Sequence, residues 1–424
     1  SGWVTQNCSD NNACTPDTCK DGKCQYGASK VCDDKDPCTN DACNVITGQC
    51  VTSPASGNCD DGLKCTQGEV CQAGKCQPYE WDLVGTVAGS GTSGFQDGAG
   101  TSAKFNNPGG VAADEKGGIY VADYDNHRIR YISPSKQVTT VAGSGTKGLT
   151  EGAASSARFY HPYDVIWDVK AQTLYVSDAY NYRIRKFKDG QVSTLVGGGK
   201  GYAEGSGTVA KFNIPFGMAL APDGTLFVVD HSNHIIRKVQ GGKSSLVAGV
   251  PGKSGTTNGA AAVAKFKYPQ GVAVLPSGGL IIADRDNNRL RRISTAGVVT
   301  TLATGFNKPR DVIYYGPYLA VSDGDYHRIR RVTLTGQVTL LAGTGSAAFA
   351  DNFNPLYAKF RKPHGLTLGA GGEIYVADWD NHRIRAIIPG TKSCSDGKAC
   401  TADSCDKATG DCVFKPISQG QSCD

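Results

Sequence analysis

The stretch DYDNHRIRYI, residues 123–132, decides the fold because close copies of it recur along the chain. The copies read DAYNYRIRKF, DHSNHIIRKV, DRDNNRLRRI, DGDYHRIRRV and DWDNHRIRAI, and they begin at Asp178, Asp230, Asp284, Asp323 and Asp378. A Pro precedes each copy, at positions 108, 162, 215, 269, 309 and 363. A catalytic constellation is normally built once, so a motif that returns at a period of roughly 40–55 residues predicts a repeat architecture.

Each repeat contains four short segments with a β pattern. In the first repeat they read GVAAD, GIYVAD, RIRYI and VTTVAG, rich in Val, Ile and Tyr and separated by Gly, Asp and Asn turns. Four short strands per repeat are typical of a β-propeller, whose blades are four-stranded sheets around an axis. The fold class predicted from the sequence is therefore all-β.

The motifs P-x-G-V-A, G-x-I-Y-V-A-D and N-H-R-I-R resemble those of the NHL-repeat family. The resemblance extends over residues 80–390 and implies a six-bladed β-propeller. The family includes ligand-binding, protein-binding and RNA-binding domains and the lyase of peptide amidation. That lyase needs three His as zinc ligands in its channel, and the positions of His161 and His364 do not supply such a trio. The resemblance thus favours a binding domain over the lyase.

The two ends of the repeat region complement each other. The last repeat supplies only three strands, near residues 365–368, 373–377 and 383–387. The sequence VGTVAGSG at 84–91 matches VTTVAGSG at 138–145. We therefore expect residues 83–88 to pair with residues 383–387 as the fourth strand of the last blade. Such closure removes the open sheet edges of the ring.

The polar residues of the repeated motif are expected to be architectural. We expect each Asp to accept hydrogen bonds in its turn and to pair with the Arg five residues later. These form an Asp/Arg ladder of Asp123, Asp178, Asp230, Asp284, Asp323 and Asp378 with Arg128, Arg183, Arg289, Arg328 and Arg383. Ile235 stands at the Arg position of the third repeat, so no pair is expected there. The same architectural role is expected for His127, His327 and His382.

Two substitutions interrupt the regular pattern of the inner strands. Two residues after the Pro, four repeats carry Gly, whereas the second and fifth repeats carry Asp164 and Asp311. The second and fifth blades of a six-membered ring face each other. The two carboxylates are a candidate channel site for a metal ion such as calcium, or they pair with Arg310 or Lys308. A hard cation prefers more oxygen ligands than two carboxylates offer.

The 17 Cys lie only in the terminal regions. Dense Cys in turn-rich sequence predicts disulfide bonds and an oxidising, extracellular compartment. Zinc is the alternative, but these segments lack His and paired C-x-x-C motifs. The Cys expected in disulfides are Cys8, Cys14, Cys19, Cys24, Cys32, Cys38, Cys43, Cys50, Cys59, Cys65, Cys71, Cys76, Cys394, Cys400, Cys405 and Cys412.

The Cys-rich segments are themselves repeats, with cores CTPDTC, CTNDAC, CTQGEVC and CTADSC. The pattern C-T-x-D-x-C resembles the slime-mould extracellular-matrix repeat, whose family members are mostly matrix and surface proteins. Four Cys allow three pairings, and the sequence does not choose among them. Acidic stretches such as CDDKDPCTND either bind calcium or form solvated turns, and their spacing favours turns.

Two further features concern the terminal regions. Cys423, in GQSCD, aligns with Cys59, the first Cys of a unit, so we expect further units to follow it in the parent polypeptide. Its partner would otherwise lie in another subunit. Asn7 begins the sequon NCS and is a candidate N-glycosylation site.

The predicted organisation is three Cys-rich modules in residues 1–79, a propeller in 80–390, and a Cys-rich module with the start of another in 391–424. The propeller region carries 34 basic and 23 acidic residues, whereas both ends are acidic. Complementary charge suits head-to-tail contact between subunits. The sequence contains no run of about 20 apolar residues, so no membrane span is predicted. RNA binding, which is known from cytoplasmic members of the NHL-repeat family, conflicts with the expected disulfides.

The sequence therefore predicts a secreted, structural subunit of an extracellular fibre, filament or matrix, with the propeller as assembly platform. Its expected partners are copies of itself or other matrix proteins, and not nucleic acid. The alternative is a propeller on a disulfide-rich stalk that binds a ligand or glycan, with Tyr124, Tyr180 and Trp379 in its turns. A lyase-type enzyme is the third hypothesis. Because G-x-S-x-G, H-E-x-x-H and a Cys–His pair are missing, no catalytic residue, cofactor or enzymatic activity is predicted.

Overall fold

The computed structural model describes the backbone in nine segments. They are residues 17–20, 23–26, 39–43, 49–54, 70–72, 75–77, 81–389, 401–405 and 412–416, with side chains at 49–50 and 83–388. The chain divides into two compact units, Leu83–Pro389 and the combination of Ser1–Asp82 with Gly390–Asp424. Over these described segments, no helix has the length and apolar character needed to cross a membrane.

The described segments of the N-terminal Cys-rich region form three two-stranded antiparallel hairpins. Their strands are β1 (Asp17–Lys20) with β2 (Lys23–Tyr26), β3 (Thr39–Cys43) with β4 (Cys50–Pro54), and β5 (Val70–Gln72) with β6 (Lys75–Gln77). In each hairpin the third and fourth Cys of the unit are register partners: Cys19 with Cys24, Cys43 with Cys50, and Cys71 with Cys76. Cys50 is disulfide-bonded.

The larger unit is a six-bladed β-propeller, as the sequence predicts. Its strands are β7 (Trp81–Ala88), β8 (Gly98–Ala99), β9 (Pro108–Ala113), β10 (Ile119–Asp123), β11 (Arg128–Ile132), β12 (Gln137–Ala142), β13 (Gly152–Ala153), β14 (Pro162–Asp168), β15 (Thr173–Asp178), β16 (Arg183–Lys188), β17 (Gln191–Val196), β18 (Gly205–Ser206), β19 (Pro215–Leu220), β20 (Leu226–Asp230), β21 (Ile235–Gln240), β22 (Lys243–Ala248), β23 (Gly259–Ala260), β24 (Gly271–Val274), β25 (Leu280–Asp284), β26 (Arg289–Ile293), β27 (Val298–Thr304), β28 (Pro309–Tyr315), β29 (Tyr318–Asp323), β30 (Arg328–Thr333), β31 (Val338–Ala342), β32 (Pro363–Leu368), β33 (Ile374–Asp378) and β34 (Arg383–Pro389). A last hairpin, β35 (Thr401–Cys405) with β36 (Cys412–Pro416), belongs to the C-terminal Cys-rich region and sets Cys405 opposite Cys412.

Short 3-10 turns connect the second and third strand of every blade. They span Tyr124–Asn126, Ala179–Asn181, His231–Asn233, Arg285–Asn287, Gly324–Tyr326 and Trp379–Asn381, directly after the repeated Asp. Two more, Gly207–Val209 and Pro355–Tyr357, lie in loops between blades. The motif that decides the fold is thus the turn between the two central strands of each blade.

Blades one to four are five-stranded antiparallel sheets and blades five and six are four-stranded. The orders are β8-β12-β11-β10-β9, β13-β17-β16-β15-β14, β18-β22-β21-β20-β19, β23-β27-β26-β25-β24, β28-β29-β30-β31 and β32-β33-β34-β7. The expected closure is confirmed, since β7 from the start of the unit pairs with β34 from its end. In blades one to four, a two-residue strand from the loop before the blade pairs with the outer strand.

The hydrophobic core lies between adjacent blades. Each blade boundary with a long loop buries one loop Phe completely, and these are Phe105, Phe159, Phe212, Phe266 and Phe360. Around the axis the inner strands approach each other so closely at several Gly positions that a side chain does not fit there. A Cβ on Gly217 would lie 2.4 Å from the carbonyl oxygen of Gln270, and one on Gly365 would lie 2.6 Å from the Cα of Gly110. Glycine at these positions allows the tight ring.

Candidate functional site

The repeated Asp fastens three segments of each blade together. Asp123 Oδ1 accepts a hydrogen bond from the Asn106 backbone N–H at 2.8 Å, in the preceding loop. Its Oδ2 accepts from Asn126 Nδ2 at 2.8 Å and from Arg130 Nη1 at 2.7 Å. Both charged side chains are fully buried. A buried carboxylate needs such partners, so this Asp is committed to the structure of the blade.

The predicted Arg partner is wrong in each of the five blades for which one was predicted. The ion pairs join Asp123–Arg130, Asp178–Arg185, Asp230–Arg237, Asp284–Arg291, Asp323–Arg330 and Asp378–Arg385, so the partner is seven residues after the Asp rather than five. The pair expected to be absent from the third blade is therefore present.

The reason for this correction is burial. Arg130 enters the blade interior, where a charge must be compensated, whereas Arg128 is partly exposed and binds carbonyl groups. Arg128 donates to Asn126 O at 3.2 Å and to Ser144 O at 3.0 Å. Its guanidinium also lies 3.8 Å from the ring centroid of Phe95.

Burial changes the acidity of the repeated Asp. It raises the pKa of Asp123, Asp178, Asp230, Asp323 and Asp378 to about 6, and it raises that of Asp284 as well. The paired Arg and the donated hydrogen bonds oppose this increase. Since the effect is the same around the ring, the raised pKa does not single out a reactive blade.

In five of the six blades, the residue after the 3-10 turn that follows the repeated Asp fastens the blade to the next one. His127 Nδ1 accepts a hydrogen bond from His161 N at 3.3 Å, and His327 Nδ1 accepts from Lys362 N at 3.2 Å. His382 and His234 repeat this contact with the following loop, and Asn288 uses its side-chain oxygen. The His of the repeated motif thus act as acceptors for backbone amides. The opening motif is an architectural element, and the functional groups must be sought where the repeats differ.

The repeats differ most at the axis. The residue after each Pro lies in an inner strand or, in blade four, directly before one, and these residues are Gly109, Tyr163, Phe216, Gln270, Arg310 and His364. Tyr163 Oη lies 3.3 Å from His364 Nδ1, and Gln270 Nε2 donates to the same hydroxyl. These three side chains come from blades two, four and six and are all buried. Together they form a polar plug across the channel.

This plug is not among the predicted sites, although His364 was considered as a zinc ligand. The sequence does contain a signal for it, because the residue after the Pro differs in every repeat. A position that varies inside an otherwise regular repeat is not fixed by the packing of the blades. His231, also near the axis, contacts Pro269 O through Nδ1 at 2.8 Å. As the carbonyl only accepts, Nδ1 carries the proton. Burial lowers the pKa of His231 to about 3, and it lowers that of His364 well below the usual value.

The structure places Asp164 and Asp311 in the channel wall, but as clamps between blades. Asp164 Oδ2 accepts from Met218 N at 2.8 Å and Oδ1 from Val165 N at 2.9 Å. Asp311 makes the equivalent contacts to Leu366 N and Val312 N, both at 2.8 Å. Each carboxylate therefore receives a backbone amide of the next blade.

The expected pairing of Asp311 with Arg310 or Lys308 is wrong. Both basic side chains bind Asp325 instead, at 2.9 Å and 3.1 Å. Burial raises the pKa of Asp164 and Asp311, and the charge of Asp311 raises that of Asp164 further. Burial thus favours the protonated form of both carboxyl groups more than it would be favoured in water.

A cavity of about 380 Å³ lies beside these two carboxyl groups. Ile166, Ala219, Ala273 and Ile313 are among the residues that line it. Within residues 83–388 no three His, Cys, Asp or Glu side chains come together as metal ligands. Both carboxylates already accept hydrogen bonds from backbone amides, and a metal ion at Asp164 and Asp311 stays a prediction. Calcium binding by the Cys-rich modules, the glycosylation of Asn7 and the state of Cys423 lie outside the described residues.

Aromatic side chains surround the plug. Trp379 stacks on His364 with ring centroids 4.0 Å apart and lies 4.9 Å from Tyr124. Tyr163 stacks on Phe216 at 3.9 Å. Trp379, Tyr124 and Phe216 each keep part of their surface exposed. The axial surface of the propeller is consequently an aromatic patch, and two of the residues singled out in the sequence, Tyr124 and Trp379, belong to it.

The loops between blades present a second set of apolar side chains. Equivalent positions carry Phe95, Leu149, Tyr202 and Phe349, exposed by 39–45%. Phe95 and Phe349 cover the guanidinium groups of Arg128 and Arg383 at 3.8 and 3.7 Å. Phe353, in the loop before blade six, is 73% exposed. These loop positions leave apolar surface that the propeller itself does not bury.

The comparison with protein families agrees with this geometry. The NHL repeat matches residues 105–130, 266–293 and 360–387, in blades one, four and six. The ring is therefore a six-bladed β-propeller built from NHL repeats. The Dictyostelium (slime mold) repeat matches residues 31–54 and 393–417, so repeats of this kind stand on both sides of the propeller in the sequence.

Known proteins with similar sequences are longer than the matched region. Protein SUPPRESSOR OF QUENCHING 1, chloroplastic, of Arabidopsis thaliana is 28% identical over 71% of this chain and 27% of its own length. NHL repeat-containing protein 2 of Homo sapiens is 28% identical over 72% of this chain and 42% of its own length. Among solved structures, a gluconolactonase from Xanthomonas campestris aligns with a TM-score of 0.52 and 13% identity, covering 73% of this chain and 91% of that one. That similarity concerns the fold alone.

Proposed function

We propose that this chain is an extracellular interaction protein, a subunit of a fibre, filament or matrix in which the propeller is a rigid assembly platform. The observation that carries the proposal is the exposed apolar surface of the loops, with Phe353 as its most exposed member. Apolar side chains grouped on an exposed surface mark sites of protein–protein contact. The partners are other copies of the chain or other matrix proteins.

The polar chemistry of the ring supports a non-catalytic role. The repeated Asp and Arg groups are buried and paired, and the repeated His accept backbone amides. A catalytic group must instead be able to reach a substrate. The charged groups that recur around the ring are thus used for rigidity, which an assembly platform needs.

The terminal regions support an extracellular location. Cys50 is disulfide-bonded, and structural disulfides belong to oxidising compartments. Both terminal regions match the slime-mould repeat. Their acidic composition also complements the basic propeller region, so contacts between subunits gain electrostatic attraction at low salt.

The proposal is tested by the assembly state of the full chain. Light scattering after size exclusion, and electron microscopy, should show concentration-dependent assemblies that weaken as salt is added. Phe353→Ser should shift assembly to higher concentration, whereas the matched variant Val209→Ser, at an exposed apolar site of another loop, should have a smaller effect. A chain that stays monomeric at every concentration and salt level would refute the assembly role.

The second candidate function is recognition of a glycan or other ligand, and the aromatic patch at the axis favours it. Sugar rings pack on exposed aromatic faces, and the partly exposed rings of Trp379 and Tyr124 offer such faces. A glycan array should then reveal a preferred saccharide whose binding is lost in Trp379→Ala. Trp167→Ala is the matched control, because Trp167 stacks on Tyr120 away from this patch. An array without any signal would leave only the first candidate.

A further inference from the structure

The outer edge of blade five differs from the outer edges of the other blades. In blades one to four, residues of the preceding loop pair with the outer strand, as Gly98 does with Val138 in β12. In blade six, Asn352 pairs with Val84 of β7 through hydrogen bonds of 2.8 and 3.0 Å. The loop before blade five consists only of residues 305–308, and β31 is the last strand of its sheet. Within the described propeller, this outer strand alone lacks a cover from its own loop.

The exposure of equivalent residues agrees with an open edge. In the covered blades, the outer-strand residue that pairs with the first paired residue of the loop is at most 1% exposed; these residues are Val84, Val138, Val192, Ser244 and Val299. Their equivalent in blade five, Val338, is partly exposed. An uncovered strand presents N–H and C=O groups that can pair with another chain.

The ion pair of blade five is incomplete for the same reason. In the other blades the buried Arg also donates to two loop carbonyls, as Arg130 does to Lys104 O at 3.0 Å and Gln96 O at 2.8 Å. Arg330 makes neither contact within residues 83–388 and donates to Thr339 O instead. Its side chain is 16% exposed, against 0% for the other five.

The covered blades show which chemistry fits this edge. In blades one and six the covering loop supplies an acid, and Asp97 binds Arg130 and the Thr140 amide, the latter at 3.1 Å. In blade three Glu204 accepts from the Leu246 amide at 3.2 Å. Leu340 is the blade-five equivalent of Leu246 in the sequence. The two small residues after the acid then form the short strand that pairs with the edge.

We propose that the open edge of blade five, formed by β31 and Arg330, binds an extended acidic segment of a partner polypeptide by strand addition. The acid would pair with Arg330 and accept the Leu340 amide, and the residues after it would pair with β31. This inference rests on the proposed assembly function, for which it names the contact chemistry. Charge complementarity commits the site to an acidic occupant rather than an apolar one.

The test uses the full chain and a peptide that copies residues 94–100, GFQDGAG. In an NMR titration to millimolar peptide, the amide signals of Val338 and Leu340 should shift, whereas those of Val138 in a covered blade should not. The same peptide with Asn in place of Asp97 should bind about tenfold or more weakly, because it loses a charge-assisted hydrogen bond.

Two protein variants separate the elements of the site. Arg330→Gln should weaken peptide binding about tenfold or more, and Arg292→Gln in blade four is its matched control. Leu340→Pro should abolish binding by removing an outward amide, and its retained fold is checked by an unchanged melting temperature. Equal binding of the Asp and Asn peptides, or shifts only outside β31, would overturn the proposal.

The outcome distinguishes this inference from the proposed function. If the full chain assembles but the peptide leaves β31 unaffected, the strand-addition site is refuted and the assembly function stands. If the peptide binds at β31 but the chain is always monomeric, the site stands and its partner is a different protein. If assembly itself competes with the peptide, the acidic segment comes from a second copy.

Discussion

At the scale of single residues, the propeller depends on charges that are buried and paired. Asp123 and Arg130 illustrate the arrangement, in which one carboxylate serves a turn, a loop and an arginine at once. Removing one member of such a pair leaves the other charge buried without compensation. We therefore expect the loss of stability on removing one member of the pair to differ between blades only where the burial of the pair differs.

Asp123→Ala should lower the free energy of unfolding by about 3–5 kcal/mol, since it leaves Arg130 buried and unpaired. Asp323→Ala is the matched variant in blade five, where Arg330 is partly exposed and hydrates more easily. The decrease in unfolding free energy should be clearly smaller for Asp323→Ala than for Asp123→Ala. Urea unfolding of both variants measures the difference, and equal losses would show that burial of the Arg does not control the effect.

A buried neutral His makes the stability depend on pH. Burial lowers the pKa of His231 to about 3. Because the unfolded chain binds this proton near pH 6.5, the contribution of His231 is fully present above that pH and is lost as the pH falls from there towards 3.

Between pH 7.5 and pH 5, the native protein should lose about 2 kcal/mol more unfolding free energy than the variant His231→Phe. Urea denaturation at the two pH values measures this difference, and the value at pH 7.5 is the reference for each protein. Identical losses would mean that His231 is already charged in the folded state.

At the scale of single elements, the outer strands are alike in sequence and different in environment. β22 and β31 hold the same place in their blades, but only β22 is paired with a loop strand, β18. Amides that donate to nothing but water exchange faster than amides in a sheet. The short loop at 305–308 thus changes the properties of a strand on the far edge of the same blade.

In the isolated chain, the Leu340 amide should exchange with deuterium about tenfold or more faster than the Leu246 amide, which Glu204 protects. Exchange followed by NMR or mass spectrometry checks this expectation. Protection of Leu340 equal to that of Leu246 in the monomer would show that the edge of blade five is covered.

At the scale of the whole molecule, the propeller depends on closure by a strand from the other end of the unit. β7 completes blade six, and its Val84 is 1% exposed. Val84→Asp should lower the unfolding free energy by about 3 kcal/mol or more, because it places an unpaired charge at this closure. Thr86→Ala, which removes a single exposed hydrogen bond to Asp351, should cost about 1 kcal/mol or less.

Thermal and urea denaturation of the two closure variants measure this prediction. A Val84→Asp protein as stable as Thr86→Ala would mean that the ring holds together without its closing strand. Loss of closure should also expose the edge of β34, so the Val84→Asp protein is expected to associate by strand exchange.

The amino-acid sequence by itself determined the number of blades, the four main strands of each blade and the closure of the ring. These features follow from residues close together in the chain or from the repetition of a motif. Such patterns can be recognised in the sequence alone. The Asp of the repeated turn and the interruption at Asp164 and Asp311 were visible for the same reason.

Only the tertiary structure decided which groups meet across blades. The bond between Gln270 and Tyr163 joins residues 107 positions apart, and that between Tyr163 and His364 joins residues 201 apart. Nothing in the local pattern specifies such contacts. The choice of Arg130 over Arg128 followed from burial, and the open edge of blade five followed from a loop too short to cover it. Both depend on how the blades pack, which is a property of the closed ring.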